Sequence, residues 1–136
     1  MELDILTGDI VWVLVPFPCS DWHDIVIFRL ALTQMLDKCE RVEADDGYVG
    51  EDPLHVKATS SAVHDQDARM RYVRGRVRMR QETVNKRLKQ FHVLHAIFHH
   101  DLEFHADCFR ACAVLTQLSI NNGNPLFSTD EYKDSA

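Results

Sequence analysis

The stretch Val42-Glu43-Ala44-Asp45-Asp46-Gly47-Tyr48 decides how the rest of the chain is interpreted. Its start predicts a short strand that ends in two carboxylates and is broken at once by Gly47. A further acid, Glu82, opens a predicted helix after a strongly basic run. Carboxylates delivered by a strand end and by a helix can converge on divalent ions. The pattern therefore indicates a metal-dependent phosphoryl-transfer site.

Length and composition limit the class of protein. The chain has 136 residues, of which 46% are hydrophobic. This length and composition predict one folded domain with a sizeable core. No apolar run is long enough to span a bilayer, and the N-terminus lacks the basic region of a signal peptide. We therefore expect a nuclear or cytoplasmic protein with reduced cysteines and no membrane partner.

The net charge of −6 hides three blocks of different sign. Residues 1–68 hold 14 acidic and 4 basic residues, whereas residues 69–90 hold 9 basic residues and 1 acid. The remaining residues, 91–136, hold 6 acids against 2 basic residues. One concentrated basic segment in an acidic protein predicts a local anion-binding surface.

The first half of the chain predicts a mixture of strands and one helix. Leu3 to Val15 is typical of a β-hairpin whose second strand is apolar on both faces and therefore buried. Asp24 is a good N-cap for a helix to about Asp37. Its predicted core stripe is Ile25, Phe28, Leu32 and Met35. A strand ending at Asp45 and a second one at Leu54 to Ala58 follow.

The second half predicts a basic loop and two helices. Arginines occur at nearly every second position from Arg69 to Arg80, and we expect this run to be a loop. A helix is predicted from about Arg80 to about His99, with a core face of Val84, Leu88, Phe91, His95 and Phe98. A last helix is predicted over Leu102 to Ser119, with a core face of Phe104, Cys108, Cys112 or Ala111, Leu115 and Leu118.

The acidic residues allow two interpretations. Asp45, Asp46 and Glu82 could hold Mg²⁺ or Mn²⁺ through hard oxygen ligands, as two-metal phosphoryl transfer requires. Alternatively, Asp45-Asp46-Gly47 is an ordinary strand-to-turn exit, and Glu82 is an acid that complements the dipole of its helix. Spacing alone leaves both interpretations open.

The basic run and the histidines are also open to two interpretations each. The basic run could neutralise a DNA backbone, or it could be a solvated loop. His95 with His99, and His105 with Cys108, have spacings that zinc could use, although they fit no standard zinc signature. The alternative is that these side chains belong to core stripes and helix ends. Cys19 and His23 form only a bare pairing, with nothing to orient a catalytic base.

Several motifs, in their order along the chain, resemble eukaryotic DDE-superfamily transposases of the Harbinger type. The resemblance runs from about residue 7 to Phe127. The motifs are Thr7-Gly8-Asp9-Ile10-Val11-Trp12-Val13, Pro16-Phe17-Pro18, Trp22-x-Asp24-Ile25-x-Ile27-Phe28-Arg29, Glu43-Ala44-Asp45-Asp46-Gly47-Tyr48 and Arg78-x-Arg80-x-Glu82-x-x-Asn85-x-x-Leu88-Lys89.

The resemblance implies an α/β fold of the ribonuclease-H-like type, with a mixed sheet and helices packed on it. It also implies a DNA endonuclease in which three carboxylates hold two Mg²⁺ or Mn²⁺ ions. Asp45 and Glu82 match two of these catalytic, metal-binding residues, and Asp46 becomes a neighbour. The DNA-binding residues predicted from the basic run are Arg74, Arg76, Arg78, Arg80, Lys86 and Lys89.

The resemblance departs from the family at its front. No residue here matches the first catalytic aspartate, which lies on a strand that precedes the hairpin. We therefore expect an incomplete fold without its first central strand, formed by residues 1–127 and followed by a disordered tail over 128–136. Because the loss of one ligand weakens metal-assisted chemistry, cleavage is expected to be impaired. Two alternatives are a domesticated, non-catalytic DNA-binding or scaffold protein, and a zinc-stabilised helical module.

Overall fold

A computed structural model describes residues 1–14, 22–44, 46–48, 51, 54–56 and 68–135. The chain divides into two compact units, one formed by Met1–Pro16 with Tyr72–Ala136 and the other by Phe17–Arg71. Each unit is described by itself below. Within the described residues, no helix combines the length and the apolar character that a membrane crossing needs.

The first unit begins with a short antiparallel hairpin. Strand β1 (Glu2–Leu3) pairs with β2 (Ile10–Trp12), with Glu2 opposite Trp12, Leu3 opposite Ile10 and an irregularity between the two pairs. The turn closes through two backbone bonds of 2.9 Å, from the Asp4 amide to the Asp9 carbonyl and from the Gly8 amide to the Asp4 carbonyl. Gly8 has a φ of +81°, which only glycine adopts without strain.

Three helices complete the first unit. Helix α2 (Ala68–Leu88) continues into it from the second unit, and α3 (His92–His95) is a single turn. Helix α4 (Leu102–Asn121) follows, and Gly123, with a φ of +110°, lies just beyond its end. A 3₁₀ helix over Asp130–Ser135 ends the described chain.

The core of the first unit lies between α2, α4 and the segment that follows α4. Its buried residues are Val84, Leu88, Cys112, Ala113, Ile120 and Leu126. Side chains of the hairpin, including Leu3 and Ile10, pack against this cluster. Gln117 of α4 also fixes the hairpin, because its Oε1 accepts a 2.7 Å hydrogen bond from the Ile10 amide and its Nε2 donates to Asp9 Oδ1 at 2.7 Å.

The second unit contains helix α1 (Asp24–Leu30), followed by a 3₁₀ helix over Leu32–Gln34 and another over Asp46–Tyr48. Phe28 is buried and meets the Tyr48 ring edge to face, with 5.2 Å between ring centroids. Arg29 Nη2 lies 2.6 Å from Glu51 Oε1. The residue preceding α1 is His23, so Asp24 is the first helical residue and not the cap.

The predicted ribonuclease-H-like mixed sheet is wrong for the described residues, which hold one two-stranded sheet and are mostly helical. Val42 and Val56 form only an isolated parallel bridge, with the Val42 amide donating to the His55 carbonyl at 2.9 Å. Val11 is 62% exposed, so β2 is not buried on both faces. Burial in the first unit comes from helices, which need no neighbouring strand to satisfy their backbone groups.

The predicted basic loop is also wrong, because α2 begins at Ala68 and includes Arg69 to Arg80. Arginine is a good helix former, and Val73, Val77, Arg80, Val84 and Leu88 follow a helical spacing that spans the whole segment. The helix ends at Leu88 and does not reach His99. His95 is exposed and does not contribute to the core.

The extent of α4 is confirmed to within two residues, but only Cys112 of its predicted core face is buried. Phe104, Leu115 and Leu118 are exposed, whereas Ala106, Ala113, Thr116 and Ile120 are buried together with Cys112. Both sets are spaced at three and four residues, so the period alone does not decide which set faces the core. Beyond α4, Thr129 is buried within the segment that the sequence predicted as a disordered tail.

Gly8 lies against the guanidinium of Arg80, which gives a stability prediction. A Cβ at Gly8 would lie 2.8 Å from Arg80 Nη2 and 3.0 Å from Leu126 Cδ1. Gly123 also has a positive φ, but a Cβ there would meet nothing within 4 Å. We expect Gly8→Ala to lower the free energy of unfolding by about 2 to 4 kcal/mol, and Gly123→Ala by only about 1 to 2 kcal/mol, the backbone cost.

Urea denaturation followed by circular dichroism measures both variants. Gly123→Ala is the matched control, since it carries the same substitution at a positive φ without the steric contact. Equal losses in the two variants would contradict the close packing of Gly8 on Arg80.

Candidate nucleic-acid interface on helix α2

Helix α2 sorts its basic residues by the side of the helix on which they lie. The exposed basic residues are Arg69, Arg71, Arg78, Lys86 and Lys89. The buried or half-buried ones are Arg74, Arg76, Arg80 and Arg87. At 100° per residue, the second group flanks or joins the apolar stripe of α2, and so does Arg69. The other exposed residues lie away from the stripe, namely Arg71, Arg78, Lys86 and, one residue beyond the helix end, Lys89. The basic segment therefore has an inner and an outer part. Arg78, Lys86 and, just beyond the helix end, Lys89 are here called the outer face of α2.

Arg80 is the innermost of these side chains and is 5% exposed. Its Nη1 donates to the Ile5 carbonyl at 2.7 Å, to Thr129 Oγ1 at 2.8 Å and to the Leu6 carbonyl at 3.1 Å, and its Nη2 donates to the Thr7 carbonyl at 3.2 Å. Thr129 Oγ1 in turn donates to the Ile5 carbonyl at 2.6 Å. One guanidinium thus ties the hairpin turn to the C-terminal segment, residues 124–130.

Arg76 and Arg87 hold the same segment at two further points. Arg76 Nη2 donates to the Ser128 carbonyl at 2.5 Å, and its guanidinium carbon lies 5.1 Å from the centroid of the Phe127 ring. Arg87 Nη1 donates to the Asn124 carbonyl at 2.5 Å. Both guanidinium groups donate to backbone carbonyls of their own chain. Fewer of their N–H groups are therefore available to bind a phosphate.

Three acidic residues surround Arg80 and shape its electrostatics. Burial lowers the pKa of Arg80 from its ordinary value, and the charges of Asp4, Asp130 and Asp9 oppose that shift. The pKa of Asp4 is lowered, chiefly because its carboxylate accepts a hydrogen bond from the Thr7 amide at 2.6 Å. The negative charges that act on Arg80 are therefore carboxylates of the same chain.

Of the residues that the sequence assigned to DNA binding, Arg78, Lys86 and Lys89 lie on the exposed side of α2, whereas Arg74, Arg76 and Arg80 lie inward. Glu82 is exposed and sits four residues from both Arg78 and Lys86. Asp45, the other carboxylate predicted to be catalytic and to bind metal, lies outside the described residues. The described part of the predicted catalytic pair is therefore Glu82 alone.

Two histidines, His100 and His105, form aromatic contacts. The His105 ring lies 4.7 Å from the Phe98 ring, and the His100 ring lies 5.9 Å from the Phe104 ring, each nearly perpendicular to its partner. Among the described residues, no three side chains of His, Cys, Asp or Glu come close enough to hold a metal ion. Cys108 and Cys112 are free thiols, and burial raises the pKa of Cys112. Cys19, considered with His23, lies outside the described residues.

A pocket of about 320 Å³ opens beside the outer face of α2. Leu88, Leu94 and Phe109 form its apolar lining. Asn85, Lys89 and His105 supply its polar atoms. Lys89 thus belongs both to the exposed basic face and to the edge of this pocket.

Comparisons with models of protein families, with curated proteins and with solved structures found no match to this chain. The site is therefore defined by its own geometry and by the motifs in the sequence.

Sequence reasoning missed the structural role of Arg80, although a signal for it was present. Arg80 falls in line with Val73, Val77, Val84 and Leu88, where a charged side chain has to find partners inside the protein. The partner hydroxyl of Thr129, 49 residues later in the chain, has no comparable signal.

The inward position of Arg80 predicts a stability effect that the exposed Lys86 of the same helix lacks. We expect Arg80→Gln to lower the free energy of unfolding by about 2 to 4 kcal/mol, since it removes charge-assisted bonds and leaves buried acceptors unsatisfied. Lys86→Gln, at an exposed position of the same helix, is the control, and its effect should stay within about 0.5 kcal/mol. Urea titration measures both variants. Equal stabilities of the two would contradict the bonding assigned to Arg80.

Proposed function

We propose that this chain is a non-catalytic DNA-binding or scaffold protein that contacts phosphates through the outer face of α2. The observation that carries this proposal is the exposure of Arg78 and Lys86 on one side of α2, with Lys89 exposed one residue beyond its end. The resemblance of the motifs around these residues to Harbinger-type transposases supports a DNA partner.

The spacing of the outer face suits contact with a duplex backbone. Arg78 and Lys89 are 11 residues apart, which corresponds to about 16 Å along the helix axis. That length equals roughly five steps of 3.4 Å along one DNA strand. Arginine and lysine at such sites fix the protein on the backbone and carry no sequence information, so the proposed binding is unspecific in sequence.

Glu82 limits how strongly this face can bind. Its carboxylate lies between Arg78 and Lys86 at four-residue spacings, where it offsets part of their charge. Three cations and one acid give a modest net positive face. The proposed contact is therefore weak and sensitive to salt, because exposed charges are screened within about 10 Å at 0.1 M salt.

Salt-dependent DNA binding tests the proposal. The triple variant Arg78→Gln/Lys86→Gln/Lys89→Gln should lower the slope of log K against log salt by about 2 to 3, since each released phosphate counterion contributes about 0.9. Fluorescence anisotropy with a labelled duplex of about 20 base pairs, or about two helical turns, measures the slope over a series of salt concentrations.

The control removes three positive charges elsewhere on the exposed surface, by Lys38→Gln/Arg41→Gln/Lys133→Gln. It has the same net charge as the test variant and should keep the wild-type slope. If the two triple variants lose binding equally, net charge and not the α2 face is responsible, and the proposal fails. Absence of salt-dependent binding in the wild type would refute it too.

Metal-dependent DNA cleavage is the alternative function, and the exposed position of Glu82 beside two cations is the observation that favours it. Such cleavage would require Mg²⁺ or Mn²⁺ and a converging carboxylate, for which Asp45 is the sequence-based candidate. The non-catalytic proposal predicts no nicking of supercoiled DNA with Mg²⁺ by the wild type or by Glu82→Gln. Nicking by the wild type that is lost in Glu82→Gln would establish the endonuclease instead.

A further inference from the structure

The pocket of about 320 Å³ lies between the end of α2, the short helix α3 and the first turns of α4, all within the first unit. It is here called the α2–α4 pocket. Its volume falls at the lower end of the range for small-molecule sites, about 300 to 1,000 Å³. The lining residues are Asn85, Leu88, Lys89, Leu94, His105 and Phe109. The pocket therefore has room for one small ligand and not for a helix of a partner protein.

Asn85 and Lys89 form the α2 side of the pocket. The Lys89 amide donates to the Asn85 carbonyl at 3.0 Å, so the last helical turn extends to Lys89. Side chains four residues apart in a helical turn point to the same side. Asn85 supplies an amide group that both donates and accepts hydrogen bonds, and Lys89 supplies a positive charge. This side can therefore bind a polar edge and an anion at neighbouring positions.

His105 and Phe109 form the α4 side of the pocket. They too are four residues apart and share one side of their helix. The His105 ring packs nearly perpendicular to the Phe98 ring, at 4.7 Å between centroids. Phe109 packs against the core cluster of the first unit, as does Leu94. Both rings are thus held by their neighbours, and they offer aromatic surface to a flat ligand at a small cost in ordering.

The charges around the pocket favour an anionic ligand. None of the described lining residues is acidic, and Lys89 is positively charged. Glu103 and Asp107 lie on the opposite side of α4, at about 200° from the pocket residue His105. Asp101 and Glu82 precede lining residues by four and three positions, but neither lines the pocket.

We propose that the α2–α4 pocket binds a single nucleotide, with its phosphate on Lys89, its base edge on Asn85 and its base plane against Phe109. A nucleotide combines an anion, a hydrogen-bonding edge and a flat ring, which are the three features that these side chains complement. The choice of a nucleotide over another aromatic anion rests on the proposed function, because Lys89 also belongs to the outer face of α2. On DNA the ligand is an unpaired nucleotide, since a base inside a duplex is stacked and does not expose its plane.

Titration of the full chain with deoxyadenosine monophosphate, followed by amide chemical shifts in NMR spectra, tests the proposal. The shifts of Leu94 and Phe109 should change and reach saturation. Deoxyadenosine, which lacks the phosphate, should bind about two- to fivefold more weakly, the effect of one exposed ion pair. Benzoate, an aromatic anion without a base edge, should also bind at least about fivefold more weakly, because the hydrogen bonds to Asn85 are lost.

Two variants separate the phosphate contact from the base contact. Lys89→Gln should weaken binding of deoxyadenosine monophosphate about two- to fivefold and leave deoxyadenosine unaffected. Phe109→Leu should weaken binding of both ligands at least about fivefold, because it removes the ring on which the base stacks. Lys38→Gln is the control, since it removes the same charge from an exposed position outside the pocket. The dispersion of the spectra shows whether each variant keeps the fold.

Several results would overturn the proposal. They are a lack of saturating shifts at Leu94 and Phe109, equal effects of Lys89→Gln and Lys38→Gln, full affinity of Phe109→Leu, and an affinity for benzoate equal to that for deoxyadenosine monophosphate. Salt-dependent binding of duplex DNA without these shifts would refute the pocket alone. The shifts without duplex binding would refute the DNA contact of the outer face alone.

Two duplexes distinguish a free nucleotide from an unpaired nucleotide of DNA. One duplex has blunt ends, and the other carries a short single-stranded adenosine overhang. If the pocket accepts a strand end, the wild type should bind the overhang duplex at least about fivefold more tightly, and Phe109→Leu should remove this preference without changing the salt slope for the blunt duplex. Equal binding of both duplexes by the wild type would overturn the DNA part of the proposal and assign the pocket to free nucleotides.

Discussion

The buried guanidinium of Arg80 is the interaction on which the first unit depends. Taking a charge out of water costs several kcal/mol, so a buried arginine is stable only when its donors find acceptors. Here the carbonyls of Ile5, Leu6 and Thr7 and the hydroxyl of Thr129 supply them. The hairpin turn takes its shape from the same requirement, because Gly8 leaves room for the guanidinium. The interaction therefore sets both the turn and the path of the C-terminal segment.

The division of the basic segment explains why charge density is a poor guide to the size of a binding surface. Nine basic residues within 69–90 give a strongly positive stretch of sequence. Folding turns Arg76, Arg80 and Arg87 toward backbone carbonyls, which leaves Arg78, Lys86 and Lys89 as the outward set within the first unit. The inward arginines of α2 thus stabilise the fold. The outward basic residues form a cationic surface that is smaller than the charge of the sequence segment indicates.

The parts of the fold that could be predicted are those that follow from helical spacing. The other parts depend on contacts between residues that are far apart in the sequence. The range of α4 and the burial of Val84 and Leu88 follow from period and helix-ending residues. Because α4 has two apolar stripes, no local rule identifies the buried one. The isolated bridge between Val42 and Val56 depends on neighbours that the sequence does not specify. Of the predicted catalytic pair, Glu82 is placed and Asp45 lies outside the described residues.

The hydrogen bonds of Arg80 also affect the rate of folding. The guanidinium joins groups that lie 75 residues before it and 49 residues after it. Contacts between such distant positions slow folding, since the entropy of closing long loops is lost before the contacts form. During synthesis α2 can form early from local interactions, but the hairpin turn gains its full set of bonds only after Thr129 has left the ribosome. The unit therefore completes its folding only when the segment around Thr129 has docked on Arg80.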